Sequence, residues 1–150
     1  MGLKEKLVSD LKEAMKSGQS DRVAVLRMVS AALKNRAIEK KTKGQSEELD
    51  ENDVLDIVGK EAKKRKESIE AFTQGGRSDL ADKEKEELQM LEGYLPKQLS
   101  QAEVAIAVKR IVAGLSEKSI GPAMKAVLAE LKGKADPKLI SDLVKVELGS

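Results

Sequence analysis

The side chains that most enzymes use for covalent or proton-transfer chemistry are scarce in this chain. It has no cysteine and no histidine. Thiol chemistry, disulfides, imidazole acid/base catalysis and zinc sites of the usual kind are therefore excluded. What remains is serine, lysine and carboxylates. Ser9-Asp-Leu-Lys12 has the Ser-x-x-Lys spacing of some amidases and lactamases, but it falls within a helical pattern and lacks the supporting elements of those enzymes. It reads as chance spacing on a solvated face. Gly133-Lys134 lacks the upstream glycine of a phosphate loop. Asp82, Glu84, Glu86 and Glu87 read as a solvated acidic face and not as a metal or acid/base site. No catalytic residue, no metal ligand and no cofactor is expected.

Positive charge is the remaining signal. Lys132, Gly133, Lys134 and Lys138 crowd one turn between two helical patterns, and Lys125 lies on the helix before it. Lysines beside amides at a helix start can hold a phosphate, and Gly133 lets the backbone come close. From Lys97 onward there are nine basic residues against six acidic ones. Only Phe72 and Tyr94 are aromatic, and neither lies in this region, so RNA would be met through its shape and backbone and not by base stacking. Lys60, Lys63, Lys64 and Lys66 form a secondary basic patch. They either track phosphates or pair with the acidic helix that follows. The net charge of +2 is too small to argue for nucleic acid by itself.

These residues must be positioned by helices. The chain is rich in Ala, Leu, Lys and Glu, and no segment alternates as a strand does. Apolar residues recur at helical spacing from Leu3 to Met15, from Val25 to Ile38, from Val54 to Phe72 and from Leu80 to Leu95. The Lys40–Asp50 stretch has no apolar period and reads as an exposed, mobile loop. Pro96 stops the fourth helix. Ser100 and Glu103 then form a capping box, with Leu99 and Val104 placed as a hydrophobic staple. Helices follow over Val104–Leu115, Ile120–Leu131 and from Pro137 onward, the last begun by the Asp136-Pro137 cap. The expected fold is all-α. Residues 1–95 form an N-terminal four-helix bundle-like domain, and residues 96–150 form a three-helix tail. The lack of cysteine, of a secretory h-region and of a membrane-spanning run leads to the expectation of a cytoplasmic protein with no membrane partner. No homo-oligomer is expected.

Several long blocks carry a family resemblance. They are Leu26-Arg-Met-Val-Ser-Ala-Ala-Leu-Lys-Asn35, Arg65–Leu80, Glu87–Ser100 and Leu131-Lys-Gly-Lys-Ala-Asp136. Together they resemble YqeY-like proteins over essentially the whole chain. Those proteins are similar to the C-terminal helical and tail parts of the B subunit of glutamine-dependent aspartyl/glutamyl-tRNA amidotransferase. The resemblance implies a helical body with a three-helix tail, and tRNA or a tRNA-charging or amidating enzyme as partner. It also brings a label of carbon–nitrogen ligase with glutamine as amido-N-donor, although the amidotransferase does its chemistry in domains this chain lacks. Two positions depart from the family pattern. Pro137 stands where Gly is frequent, and Ile120-Gly-Pro-Ala-Met124 replaces a Met-Gly-Lys-Val-Met type of run. The expected function is a non-catalytic protein that engages tRNA through its tail. The alternative is a helical protein–protein adaptor with no RNA role.

Overall fold

A computed structural model describes residues 2–149. It contains seven helices and, among the described residues, no strand. The helices are α1 (Leu3–Lys16), α2 (Ser20–Thr42), α3 (Glu51–Gln74), α4 (Ser78–Glu92), α5 (Gln101–Ala113), α6 (Ile120–Leu131) and α7 (Pro137–Gly149). The all-α expectation holds. Contacts divide the chain into two compact units, one ending at Leu95 and the other beginning at Pro96.

In the first unit, α3 packs along α4, α1 packs along α2, and α2 also meets α3 and α4. The core is built from the apolar stripes: Leu7 of α1, Val25, Leu26, Val29 and Leu33 of α2, Val54, Ile57, Val58 and Ala62 of α3, and Leu91 of α4. Burying a Leu, Ile or Val side chain contributes about 1.5–3 kcal/mol each, and this drives the assembly. Not every residue of the predicted stripes is inside. Met28 and Ile38 of α2 are 49% and 63% exposed.

The helix ends show how local sequence sets the boundaries. Asp50 and Asp53 form a reciprocal capping box at the start of α3. The N-cap residue of α1 is Gly2, which has no side chain to cap the helix. Glu51 of α3 serves instead, its Oε1 accepting from the Leu3 N–H at 2.7 Å. α2 runs to Thr42, so Lys40, Lys41 and Thr42 are helical and not part of the loop expected there. Lys40 Nζ ties this end down by donating to Glu48 O at 2.8 Å and to Asp53 Oδ2 at 2.9 Å. Gly44 at φ +74° then turns the chain.

In the second unit, α5 packs on α6 and α7, and α6 packs on α7. Val104, Val108 and Val112, Ala123, Val127 and Leu131, and Ile140 and Val144 make the core. The Ser100–Glu103 capping box is present in both directions, at 3.2 and 3.0 Å. Leu99 packs on the same core as Val104.

Candidate nucleic-acid interface

The α6–α7 connection is an ordered turn. Lys132 leaves α6 with ψ 130°, and Gly133 follows at φ +79°, a conformation that costs a residue with a Cβ roughly 1–2 kcal/mol. The Lys134 N–H returns to Leu131 O at 2.9 Å. Two residues ahead of α5 brace the turn. Gln98 Nε2 donates to Gly133 O at 2.6 Å, and the Leu99 N–H donates to Lys134 O at 2.8 Å. The staple residue Leu99 therefore also fixes the basic turn.

Lys132, Gly133, Lys134 and Lys138 are brought together here. Lys132 and Lys138 are exposed, and Lys134 is half-buried. Lys125 is exposed on α6. It sits two helical turns before Lys132, roughly 10 Å along the axis on the same face. None of Lys125, Lys132, Lys134 and Lys138 forms an ion pair among the described residues. One part of the expected geometry is absent. At the start of α7 the Lys138 N–H is taken by Asp136 Oδ1 at 3.0 Å, and Pro137 has no N–H, so neither offers an amide to a phosphate. What the turn has to offer an anion is therefore chiefly its lysine side chains.

The secondary patch differs. Lys60 pairs with Asp56 at 3.3 Å and Lys64 pairs with Glu61 at 3.3 Å, both along α3 itself. Lys63 is half-buried and engaged, and Lys66 is exposed. Of the four, Lys60 and Lys64 are thus paired with carboxylates of their own helix, which also serve Arg36 and Arg65. Asp82 of α4 similarly faces Lys85 of α4, at 3.8 Å.

Two constellations escaped the sequence. The first is a cleft of about 260 Å³ between the end of α2 and the start of α3, lined by Arg36, Glu39, Lys40, Lys43, Gln45, Asp53 and Lys60. Arg36 bridges Asp53 at 3.4 Å and Asp56 at 2.6 Å. The hydrogen bond from Lys40 is the main reason the Asp53 carboxyl lies below the usual carboxylate range. Burial opposes ionisation of Asp56, but hydrogen bonds from Arg36 and Lys60 outweigh it and lower its pKa as well. Each cation lining the cleft holds a carboxylate, so the cleft works as a clasp between helices. The i,i+4 spacings Glu39–Lys43 and Asp56–Lys60 were its visible trace. The second constellation joins Tyr94 to α1 and α2. Its hydroxyl donates to Asp10 Oδ2 at 2.6 Å and accepts from Arg22 Nη2 at 3.5 Å, while Lys6 lies over the ring at 5.4 Å. Burial and the bond to Asp10 push the phenol pKa up.

Neither constellation pairs a nucleophile with a base. Ser9 and Lys12 share a shallow groove of about 320 Å³ on α1 with Lys4, Glu5 and Val8, and both are exposed. No hydrogen bond orients either of them, so the arrangement does not activate the serine. Among the described residues no group of carboxylates is placed to hold a metal ion, and no helix is long and apolar enough to cross a membrane.

Comparison with known proteins adds the family. The chain is 34% identical over 134 residues to the Kluyveromyces lactis protein named "Altered inheritance of mitochondria protein 41, mitochondrial", covering 87% of this chain and 70% of that protein. The protein of that name from Lachancea thermotolerans is 30% identical over 87% of this chain and 69% of its own length. The one from Pyrenophora tritici-repentis is 28% identical over 97% and 80%. These relatives correct the cytoplasmic expectation, since their names place them in mitochondria. A lack of cysteine marks a reducing compartment or mere economy of residues and does not distinguish cytosol from organelle. The family model described as "Yqey-like protein" matches residues 4–148. With that match spanning both helical units, the chain belongs to the YqeY-like family.

Proposed function

We propose that the protein is a non-catalytic helical protein that engages tRNA, or an enzyme carrying tRNA, through its second unit. The observation that carries this reading is the braced α6–α7 turn. It presents Lys132, Lys134 and Lys138 without ion-pair partners, and Lys125 lies on the adjoining face of α6. A turn held by Gln98 and Leu99 offers its lysines at low ordering cost, which favours contact with a regular phosphate backbone. The kinship noted from the sequence, with the tRNA-engaging part of an amidotransferase subunit, supports the same partner. The amidation chemistry itself is not proposed for this chain, in which no nucleophile is paired with a base among the described residues.

The test is a tRNA titration against salt, with the native chain and the Lys132→Ala/Lys134→Ala/Lys138→Ala variant. The native chain is expected to bind at low salt with a steep salt dependence. The variant is expected to bind more weakly, with a log–log salt slope shallower by about 2–3. Absence of native binding at low salt refutes direct recognition. An unchanged slope in the variant moves the contact elsewhere on the molecule.

A protein-adaptor role is the second reading, favoured by Ile106 and Val146, which are 70% and 67% exposed on α5 and α7. A protein partner that stays bound after nuclease treatment supports it. Recovery of RNA alone counts against it.

A further inference from the structure

Arg65 of α3 is a buried guanidinium, 4% exposed. Its Nη1 donates to Glu61 Oε2 at 2.6 Å and to Glu61 O at 3.4 Å. Its Nη2 donates to the thioether sulfur of Met28 on α2 at 3.1 Å. Its Nε is buried and has no hydrogen-bond partner. A guanidinium carries five N–H donors, and a thioether sulfur is a weak acceptor. This buried cation is therefore under-satisfied: its Nε has no partner, and its Nη2 meets only a weak acceptor, the Met28 sulfur. Met28 itself is 49% exposed, so solutes in water reach it.

We propose that Met28 is a reversible oxidation site whose product is recognised by Arg65. A peroxide delivers one oxygen to the Met28 sulfur. The sulfur gives up an electron pair, the O–O bond breaks, an S–O bond forms, and hydrogen peroxide leaves as water. The sulfoxide oxygen is a far stronger acceptor than the thioether, and it is formed beside Nη2, a buried charged donor whose present acceptor is only a thioether. Oxidation of a methionine in an apolar core disrupts packing, because a polar group is created without a partner. Here the sign is reversed, and the product joins α2 to α3 more firmly. The side chain has the freedom this needs. Methionine has three rotatable bonds, and a half-exposed one can withdraw its sulfur by the length of the new bond. A thiol-dependent sulfoxide reductase restores the thioether.

Met15 of α1 is the internal control. It is 46% exposed and its sulfur meets Arg27 Nη2 at 3.7 Å, but Arg27 is exposed and already solvated. Its oxidation meets no unsatisfied cation.

Hydrogen peroxide treatment of the folded chain, followed by peptide mass spectrometry, compares Met15, Met28, Met90 and Met124. Met28 is expected to oxidise at least roughly threefold faster than the half-buried Met90 and Met124. At the time when Met28 is converted and those two are not, a Met15→Leu chain is expected to melt about 2 °C or more higher than its reduced form. A further Met28→Leu change should abolish that rise. Met28→Gln, whose amide oxygen stands in for the sulfoxide, should melt above Met28→Leu. Oxidation of Met28 no faster than of Met90, a fall in melting temperature on its conversion, or Met28→Gln melting below Met28→Leu each overturns the proposal.

Discussion

Glu61 and Arg65 are one turn apart on α3, and sequence spacing alone makes them an ordinary surface pair. The structure buries them to 5% and 4% exposure. Arg65 lies next to the apolar stripe, so a half-buried stem was legible, but the depth was not. It depends on α2 and α4 closing over the same side of α3, with Met28 arriving from thirty-seven positions away. A charge pair in that position is costly to break from one side, since the survivor stays buried and uncompensated. Glu61→Gln is therefore expected to destabilise the first unit by about 3–5 kcal/mol in urea unfolding. The double change Glu61→Leu/Arg65→Leu should cost clearly less than the two single changes added together. Tyr94 shows the same limit of legibility. It was visible as one of only two aromatic residues, whereas its partners Asp10 and Arg22 belong to helices more than seventy positions earlier.

At the scale of elements, helix starts were the most readable feature. Asp50, Ser100 and the Asp136-Pro137 step all signal helix starts through local hydrogen-bonding chemistry that needs no tertiary partner. Helix ends were less readable. The Lys40–Asp50 stretch has no apolar period, yet α2 persists to Thr42 because Lys40, Arg36 and the α3 carboxylates form a clasp there. That clasp makes a pH prediction. Asp53 and Asp56 both have folded pKa values below the ordinary carboxylate value. Their contribution to stability is full at neutral pH and is lost as pH falls through the ordinary range towards the lowered folded values. Unfolding free energy should therefore drop with acidification over that window. Asp56→Asn should be less stable at neutral pH by about 1 kcal/mol, given a pair roughly a quarter exposed. It should also show a shallower acid limb. A variant with the same acid limb as the native chain would remove the clasp from the account of acid stability.

For the whole molecule, the two cores are drawn from separate stretches of chain. The first takes its buried residues from Leu7 to Leu91 and the second from Val104 to Val144. The second is small, near the size where a single core begins to fail, yet its Val, Leu, Ile and Ala core leaves eight residues at 4% exposure or less. A fragment of residues 96–150 is expected to fold by itself, with a cooperative melt and dispersed methyl resonances. A non-cooperative melt would show that the rest of the chain is needed. If the fragment folds, it also becomes the minimal carrier of the Lys125, Lys132, Lys134 and Lys138 surface for the tRNA titration.

The sequence by itself determined the all-helical class, the capped starts of α3, α5 and α7, most of the buried stripes and the family, because each is written in short-range periodicity, capping chemistry or long blocks of residue identity. Only the tertiary structure decided which charges are free and which are spent. Lys60 and Lys64 looked equivalent to Lys132 and Lys138 as residue types. They pair with Asp56 and Glu61 on their own helix, carboxylates that also hold Arg36 and Arg65, while the lysines of the α6–α7 turn are left without ion-pair partners among the described residues. The turn is held by Gln98 and Leu99, and the Lys138 amide beyond it is claimed by Asp136. The reason is physical. Helix periodicity and capping act over a few residues, whereas burial and charge pairing depend on neighbours that only folding brings within reach.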